Sequence, residues 1–420
     1  MTQLSSVSRR RLLVASGALA LTPFLPASLM AEADTGGLRK ITDDAAPISL
    51  AERETRIERA RALMHEAGID AILIEPGASM TYFTGIQWWL SERLTACILF
   101  AKGDAIIVAP FFEEPSLRET LAIPAQIHVW QEDESPIALI AAALKERGIA
   151  RGTMGIEERV RFFVSDGLAR HAPDLGIVSA DAVVRGCRMI KTPAEIALMT
   201  KATQVTIEAY RWVWPRIREG MTPHEISALM NAATLKLGGT PQFALVLPGE
   251  AAAYPHGSHK PQQVREGEVV LMDCGCTVQG YQSDVSRTFV PGKAPGDVRR
   301  VWNTVHEGQQ IAFHAAQVGV PAGQVDDAVR SYYEKQGFGP GYRLPGLSHR
   351  TGHGIGLDGH EPVNLVHDEA TLLRPGMCFS NEPGLYLPGK FGVRLEDCFH
   401  MTENGPTWFS TPPTSLEQPV

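Results

Sequence analysis

The stretch VLMDCGCTVQGYQSDVSRTF, residues 270–289, predicts a β-hairpin that carries two acidic residues within apolar strands. With Val278 and Gln279 as the turn, Asp273 faces Asp284 across the strand pair. Directly opposed residues on antiparallel strands have Cβ atoms about 5 Å apart, and like charges at that distance repel each other. Two half-buried carboxylates in this arrangement indicate a bound cation, which would remove the repulsion.

A second stretch, FSNEPGLYLPGKFGVRLEDCF at 379–399, repeats the pattern. Its turn-forming residues centre on Gly389, and this centre predicts that Glu382 lies opposite Glu396. One acidic pair near a strand end can simply be solvated. Two such pairs in one domain favour a shared ligand.

Three histidines lie between the two hairpins, in the segment SHRTGHGIGLDGHEP at 348–362. They are His349, His353 and His360, and the glycines among them let the backbone approach a ligand closely. One such histidine is usually an ordinary core or surface residue. The cluster of three between two acidic hairpins favours a functional site.

Four carboxylates and one imidazole make a donor set rich in oxygen, which suits two divalent first-row ions better than structural zinc. Two ions about 3.5–4 Å apart can bridge a water and lower its pKa to about 7. Such a site provides a nucleophile at neutral pH without a serine or cysteine triad.

From about residue 190 to 412 the chain resembles the pita-bread metallopeptidase family, which includes Xaa-Pro aminopeptidases, prolidases and methionine aminopeptidases. The segment IDAILIEPGASMTYFTG at 69–85 resembles part of the smaller domain in the creatinase, prolidase and aminopeptidase P branch. The resemblance implies a creatinase/prolidase-like α/β N-terminal domain followed by an α+β pita-bread catalytic domain.

The resemblance also implies a set of five metal ligands, namely Asp273, Asp284, His353, Glu382 and Glu396. In this set Asp284 and Glu396 bridge the two ions, and Asp273 binds one of them. His353 and Glu382 bind the other ion. Glu382 also matches the residue that accepts a proton from the bridging water in the family.

Further residues match positions near the substrate. His256 matches the histidine that steadies the substrate beside the scissile bond, and His360 matches the histidine that hydrogen-bonds the carbonyl or tetrahedral intermediate. Arg394 matches an arginine that contacts the site or a substrate carboxylate, and its spacing from Glu396 puts both on one strand face. His349 occupies a position that is often histidine in the aminopeptidase P branch.

The implied activity is that of a dinuclear-metal hydrolase, an Xaa-Pro aminopeptidase or Xaa-Pro dipeptidase, in which a metal-bridging hydroxide attacks the peptide bond before proline. The alternative is a non-peptidase enzyme on the same fold, either another C–N hydrolase or a dimethylsulfoniopropionate lyase, because fold does not determine reaction. Creatinases lack the metal set, and histone chaperones with this fold lose ligands. The complete set therefore disfavours both of these branches.

The expected cofactors are two divalent ions. Manganese is preferred, and cobalt, zinc and iron are also compatible with these donors. The expected substrate is a peptide or small amide, and the family resemblance implies a homodimer. A net charge of −8 over 420 residues argues against a nucleic-acid or anionic-membrane partner.

The chain length indicates two domains. Residues 47–189 alternate helical periodicity with short apolar runs and are predicted to form the N-terminal domain. Residues 190–415 are the predicted catalytic domain. It opens with a helix that has Thr192 as its cap, Pro193 at the first position and Glu195 at the capping-box offset.

Residues 1–33 are predicted to be a targeting segment. The sequence SRRRLLVASGALALTPFLPASLMAEA at 8–33 contains three adjacent arginines, an apolar region interrupted by prolines, and a small-x-small cleavage signal at its end. Adjacent arginines before a mildly apolar region resemble a twin-arginine export signal. We expect cleavage near Ala33, a tether at 34–46, and a periplasmic or secreted chain with no stable membrane insertion.

The six cysteines form no C-x-x-C pair and lie mostly in strand-like runs, so buried free thiols are predicted. Arg185 and Lys191 are interpreted as solvated charges of the linker between the domains. Trp88 and Trp89 are interpreted as partly buried packing residues.

Overall fold

The computed structural model describes residues 35–420. The predicted leader, residues 1–33, lies outside this range. Most of the predicted tether lies inside it and runs along the catalytic domain, where Ile41 N donates to Leu237 O and Thr42 Oγ1 donates to Gly238 O. Within residues 35–420, every helix is too short or too polar to span a bilayer.

The N-terminal part of the chain, up to residue 188, forms an α/β domain. Its strands are β1 (Ala71–Ile74), β2 (Ala96–Phe100), β3 (Ala105–Pro110), β4 (Ala125–Trp130), β5 (Thr153–Ile156) and β6 (Gly176–Ser179). Its helices are α1 (Leu50–Ala67), α2 (Ala78–Thr84), α3 (Glu114–Thr120), α4 (Pro136–Glu146), α5 (Phe162–His171) and α6 (Asp181–Arg188). The strands form one mixed sheet in the order β4-β3-β2-β1-β5-β6.

Helices cover both faces of this sheet, because alternate strand residues point to opposite sides. On β1, Ile72 and Ile74 pack with apolar residues of α1 and α6. Ala71 and Leu73 pack with apolar residues of α4 and α5 on the other face. The predicted α/β class of this domain is confirmed.

The rest of the chain forms an α+β domain. Its helices are α7 (Pro193–Val213), α8 (Pro223–Leu237), α9 (Gly296–Ala315) and α10 (Ala322–Lys335). Its strands are β7 (Thr240–Pro248), β8 (Val270–Val278), β9 (Tyr281–Gln282), β10 (Val285–Phe289), β11 (Gly352–Gly354), β12 (Glu361–Leu365), β13 (Cys378–Asn381), β14 (Gly384–Leu387), β15 (Phe391–Arg394), β16 (Asp397–Thr402) and β17 (Gly405–Trp408). One sheet has the order β10-β8-β7 with β9 on β8, another has the order β12-β11-β13-β16-β17, and β14 pairs with β15.

Two helix pairs enclose these sheets. Apolar residues of α7 and α8 pack with β8 and β10, and those of α9 and α10 pack with β13 and β16. The capping box at Thr192, Pro193 and Glu195 is confirmed at the start of α7. The sheets are thereby held with their polar residues facing one another at the centre of the domain.

The first hairpin forms, but its register differs from the prediction. Val278 pairs with Tyr281, so the turn consists of Gln279 and Gly280, both with positive φ, as in the tight turns that suit hairpins. Asp273 consequently pairs with Ser286 rather than with Asp284, which lies two residues earlier. A shift of two residues keeps side chains on the same face, so both acids still point the same way.

The second hairpin has the predicted register. Leu387 pairs with Phe391 around Gly389, and beyond the hairpin Asn381 pairs with Asp397 in the same alignment. Glu382 and Glu396 lie between these two ladders, at positions that the shared register sets opposite each other. Glu396 forms a backbone bridge to Ser286 of the first hairpin, which joins the two hairpins at the centre.

Buried ion pairs connect the two domains, and one of them corrects the interpretation of Lys191. This residue is 5% exposed, and its Nζ lies 2.9 Å from Glu361 Oε2. Arg188 also binds Glu361. Lys191 is therefore a buried ionic partner, whereas Arg185 is a partly exposed residue on the surface of α6.

A second connection forms around the hydroxyl of Tyr281, which lies just before the acidic segment of the first hairpin. Arg56 Nη2 of α1 donates to this oxygen at 2.9 Å, and the hydroxyl donates to Glu195 Oε1 at 2.9 Å. The N-terminal domain thus contacts the hairpin that carries Asp284.

The cysteine prediction is confirmed, since all six cysteines are buried and free. The interpretation of the tryptophan pair is wrong for Trp89, which stacks on the half-buried Trp88 at 4.5 Å but is itself 65% exposed.

Candidate metal centre

The two hairpins and strand β11 bring the predicted ligands to one place. Three groups of side chains each have potential ligand atoms within 4.8 Å of one another: Asp273, Asp284 and Glu396; His353, Glu382 and Glu396; and Asp284, His353 and His360. Glu396 belongs to two of these groups, and so does Asp284. The geometry is that of two adjacent cation positions that share carboxylates.

Three buried carboxylate oxygens in the centre have no hydrogen-bond partner among residues 35–420: Oδ1 of Asp273, Oδ1 of Asp284 and Oε1 of Glu396. A buried acceptor left without a donor costs about 1–3 kcal/mol, and more when it is charged. Two divalent cations would bind these lone pairs, so the residues fit the implied pair of ions.

The pKa shifts of the acids reflect this crowding. Burial, followed by repulsion from Glu396 and Asp273, raises the pKa of Asp284 well above its usual range. Burial and repulsion from Glu382 and Asp273 likewise raise the pKa of Glu396. A bound dication would reverse this effect, because a cation stabilises the ionised form.

His353 is held in the orientation of a metal-binding histidine. Its Nδ1 donates to Gly354 O at 3.0 Å, which aims Nε2 at Glu382 Oε1 (3.2 Å) and Asp284 Oδ2 (3.8 Å). A backbone carbonyl on the second ring nitrogen is the usual way to fix such a ligand. Burial would raise the pKa of Glu382, but the neighbouring His353 lowers it to about 2.

Arg394 is buried behind the acids, and each of its three guanidinium nitrogens has a hydrogen-bond partner. It donates to Asp273 Oδ2 (2.7 Å), Ser286 Oγ (2.9 Å), Tyr386 Oη (3.1 Å) and Pro255 O (3.2 Å). Of the two roles expected for Arg394, the structure therefore favours contact with the site over contact with a substrate carboxylate.

His349 lies beside this network rather than among the ligand groups. Its Nδ1 donates to Arg350 O at 2.7 Å, so its Nε2 accepts from the Tyr386 hydroxyl at 2.7 Å. Burial lowers the pKa of His349, which keeps the ring neutral. His349 fixes the hydroxyl that also accepts a hydrogen bond from Arg394.

The two predicted substrate histidines lie at the exposed side of the centre. The His360 ring is 4.1 Å from the His353 ring, and His360 is exposed. His256 is also exposed and lies close enough to influence the charge of His360. Like His349, His256 belongs to none of the three ligand groups among the described residues.

Sequence reasoning did not find two hydroxyl residues of the site. Ser286 donates to Glu396 Oε2 at 2.7 Å, and Tyr386 links Arg394 to His349. Ser286 is the direct strand partner of Asp273, and Tyr386 lies two residues from Gly384, the strand partner of Arg394, so each projects from the same face as a predicted site residue. A search for hydroxyls on that face would have identified both.

The chain was compared with known proteins. The model of metallopeptidase family M24 matches residues 197–403, and that of the creatinase/prolidase N-terminal domain matches residues 56–190. The probable dipeptidase PepE of Mycobacterium tuberculosis is 33% identical over 361 residues, which cover 83% of this chain and 92% of the relative. The Xaa-Pro dipeptidase of Pyrococcus furiosus is 29% identical, with 83% and 96% covered.

Among solved structures, dipeptidase PepE from Mycobacterium ulcerans superposes with a TM-score of 0.81 at 32% identity, covering 88% of this chain and 99% of that chain. The similarity extends over both domains and includes the segments that carry the acidic hairpins. The chain belongs to metallopeptidase family M24.

Proposed function

We propose that the chain is an Xaa-Pro peptidase, an exopeptidase that hydrolyses the peptide bond before proline with the help of two divalent cations. The observation that carries the proposal is the gathering of predicted ligands from both hairpins and β11 around one point. The name of the Pyrococcus furiosus relative, an Xaa-Pro dipeptidase, supports the substrate class.

The residues divide naturally between two cations. Asp273, Asp284 and Glu396 would hold one, and His353, Glu382 and Glu396 would hold the other. When bound, such ions polarise a substrate carbonyl and lower the pKa of a shared water. We propose manganese as the ion, because carboxylate oxygens dominate the donor set.

The side chains of the protein supply the proton transfers and hydrogen bonds. Glu382 is ionised at neutral pH, so its carboxylate can accept the proton of the attacking water. Partial desolvation of the ring, followed by the nearby charges of His353 and Arg350, lowers the pKa of His360 to about 4, so the ring is neutral at pH 7. A ring N–H of His360 can therefore donate to the carbonyl oxygen as negative charge develops there.

The experiment that tests the proposal compares Ala-Pro with Ala-Ala, using the chain loaded with manganese and the chain treated with a chelator. We expect hydrolysis of Ala-Pro that depends on manganese, with slower or no hydrolysis of Ala-Ala. A digest of a peptide library then identifies the cleaved bond. If Xaa-Pro dipeptides and longer peptides are untouched while two ions are bound, the chain is a non-peptidase enzyme on this fold.

We also propose a homodimer and export by the twin-arginine route. Light scattering of the purified chain measures the first, and a monomer mass would exclude it. For the second, replacing Arg9 and Arg10 with lysine should retain the protein in the cytoplasm, and unchanged export would exclude that route.

A further inference from the structure

The turn that carries His360 comprises residues 355–360, between β11 and β12. The His360 ring contacts the His353 ring at 4.1 Å and, among residues 35–420, makes no hydrogen bond. A ring without a polar partner takes its position from its backbone. The contacts that fix this turn therefore set the direction in which the N–H of His360 points.

The backbone on the two sides of His360 is fixed in different ways. On the C-terminal side, Glu361 begins β12 and pairs with Gly354 of β11. On the N-terminal side the chain lies outside this ladder, and the polar side chain there is Asp358, which is 20% exposed. Asp358 lies two residues before His360, so a contact of its carboxylate restrains the part of the turn that the sheet does not hold.

Both carboxylate oxygens of Asp358 bind arginines of the N-terminal domain. Arg159 Nη1 donates to Oδ1 at 2.9 Å, and Arg188 Nη2 donates to Oδ2 at 2.8 Å. The Arg188 side chain is 10% exposed, and the same nitrogen also donates to Glu361 Oε1, so one guanidinium joins both ends of the turn. Hydrogen bonds between ionised groups are about twice as strong as neutral ones. These contacts tie the turn to the N-terminal domain.

The two arginines are themselves held by one residue, Glu157, which follows β5 and is 4% exposed. Its Oε2 accepts a hydrogen bond from the backbone N of Arg159 at 2.8 Å. Its Oε1 accepts from Ser79 Oγ at 2.9 Å, and Ser79 Oγ in turn accepts from Arg188 Nη1 at 2.9 Å. The end of β5 therefore orients both arginines towards the catalytic domain.

We infer that Arg159 and Arg188 are positioning residues for the reaction. Through Asp358 they hold the turn so that the ring N–H of His360 points at the scissile carbonyl. The inference rests on the proposed function and gives the N-terminal domain a part in it. A small displacement of a catalytic group is enough to slow a reaction strongly, so the position of this turn matters for the chemical step.

The metal ligands do not depend on this contact. The ligand nearest to the turn, His353, lies in β11, where it pairs with Asn364 of β12 and its backbone N donates to Ser380 Oγ at 3.0 Å. Loosening the turn should therefore slow the reaction and leave the ions bound.

The first test measures hydrolysis of Ala-Pro by the manganese-loaded Asp358→Ala variant. We expect kcat to fall about 10-fold and KM to stay nearly constant, because the His360 N–H acts on charge that develops in the transition state. Bound manganese, measured by mass spectrometry of the ions, should not change. Asp358→Asn keeps the shape and one acceptor oxygen, so its kcat should lie between those of the wild type and Asp358→Ala.

A double-mutant cycle distinguishes positioning from general support of the fold. His360→Ala should lower kcat about 100-fold, as expected for the loss of one donor to the developing oxyanion. If Asp358 acts through His360, the double variant should be no slower than His360→Ala alone. Independent effects would multiply to about 1,000-fold, and that result would overturn the inference.

Arg188→Met and Arg185→Met form a matched pair on α6. Arg185 binds Glu158 and Asp181 of its own domain, so its replacement should leave kcat unchanged. Arg188→Met should lower kcat about as much as Asp358→Ala does, and melting temperatures of both variants check the fold. If Arg188→Met does not fold, the exposed Arg159→Met replaces it and should show a smaller loss in kcat. Equal kcat for the arginine variant and Arg185→Met would overturn the inference.

Hydrogen exchange separates this inference from the proposed function, because it needs no turnover. In the manganese-loaded chain without substrate, peptides that cover residues 355–361 should exchange faster in Asp358→Ala than in the wild type, whereas those that cover β13 should not change. Unchanged exchange at 355–361 would overturn the inference, even if Ala-Pro is hydrolysed. Faster exchange in a chain that does not hydrolyse Ala-Pro would support the hold on the turn and contradict the proposed function.

Discussion

Glu361 and Glu396 are both buried acids of the catalytic domain, but their surroundings are opposite. Glu361 accepts hydrogen bonds from Arg188 and Lys191, and although burial alone would raise its pKa, these cations lower it to about 2. The carboxylate of Glu396 receives one hydrogen bond, from Ser286 Oγ, faces other acids, and has a raised pKa.

The difference distinguishes a structural acid from a functional one. The charge of Glu361 is neutralised by the protein's own cations, so it connects the domains without a ligand. The charge of Glu396 is not neutralised by cations of the protein, so it is available to a cation from solution. Strongly perturbed, uncompensated groups that cluster in this way mark functional sites, whereas satisfied pairs belong to the architecture.

Replacing Glu396, the acid shared by both cation positions, should have the largest effect of the substitutions considered. Glu396→Gln keeps the shape but removes the charge common to both cation positions. We expect peptidase activity to fall about 1,000-fold, because cations contribute several kcal/mol of transition-state stabilisation and each 1.36 kcal/mol is tenfold in rate. Bound manganese, measured by mass spectrometry of the ions, should fall as well. Retention of both ions with normal activity would contradict the shared role of Glu396.

Replacing the structural acid should affect stability instead. Glu361→Ala leaves Lys191 buried without its ionic partner and removes one of the two carboxylates that bind Arg188, which should cost about 3 kcal/mol of unfolding free energy in urea titrations. Because the folded-state pKa of Glu361 is depressed, this contribution is present above pH 4.5 and is lost as the pH falls towards 2.

The matched control for that variant is Arg159→Ala, which breaks an exposed ion pair with Asp358 and should cost less than about 1 kcal/mol. If Glu361→Ala is as stable as this control, the buried cluster contributes nothing net to the fold.

The third substitution should have the smallest effect, and it should raise the stability of the metal-free protein rather than lower it. Asp284→Asn removes a repelled charge, so the metal-free variant should be more stable than the metal-free wild type by about 1–2 kcal/mol at pH 8. The raised pKa means that the folded wild type holds more protons than the unfolded chain, so its stability falls as the pH rises above about 4. The gain of the variant should therefore vanish near pH 4.

With manganese present the wild type should be more stable than Asp284→Asn, because only the wild type binds the ions fully. Thermal melting at several pH values, with chelator and with manganese, measures both comparisons. A metal-free Asp284→Asn variant that is less stable than the wild type at pH 8 would show that this acid is not strained.

The hairpins and their acids were predictable from sequence because turn residues and apolar alternation are local signals. The predicted register of the first hairpin was wrong by two residues. Its turn consists of Gln279 and Gly280, both with positive φ, and not of Val278 and Gln279. The prediction that Asp273 and Asp284 lie on the same face of the hairpin still held, because side chains of a strand return to the same face every two residues. The fold class followed from the same local patterns together with the family resemblance.

Contacts between distant segments could not be predicted in this way. Lys191 looked like a linker charge because its partner Glu361 is 170 residues away in sequence. Arg394 was placed near the centre, but only the fold revealed that each of its guanidinium nitrogens already has a hydrogen-bond partner.

The hydroxyl of Tyr281 has a consequence for how this enzyme can be divided. It accepts a hydrogen bond from Arg56 of the N-terminal domain and donates one to Glu195 of the catalytic domain, and it lies only three residues before Asp284. A catalytic half expressed alone would expose Glu195 and Tyr281 to water and loosen the segment that carries a ligand. Chimaeras that exchange the N-terminal half between relatives should therefore carry Arg56, or a residue equivalent to it, along with the transplant.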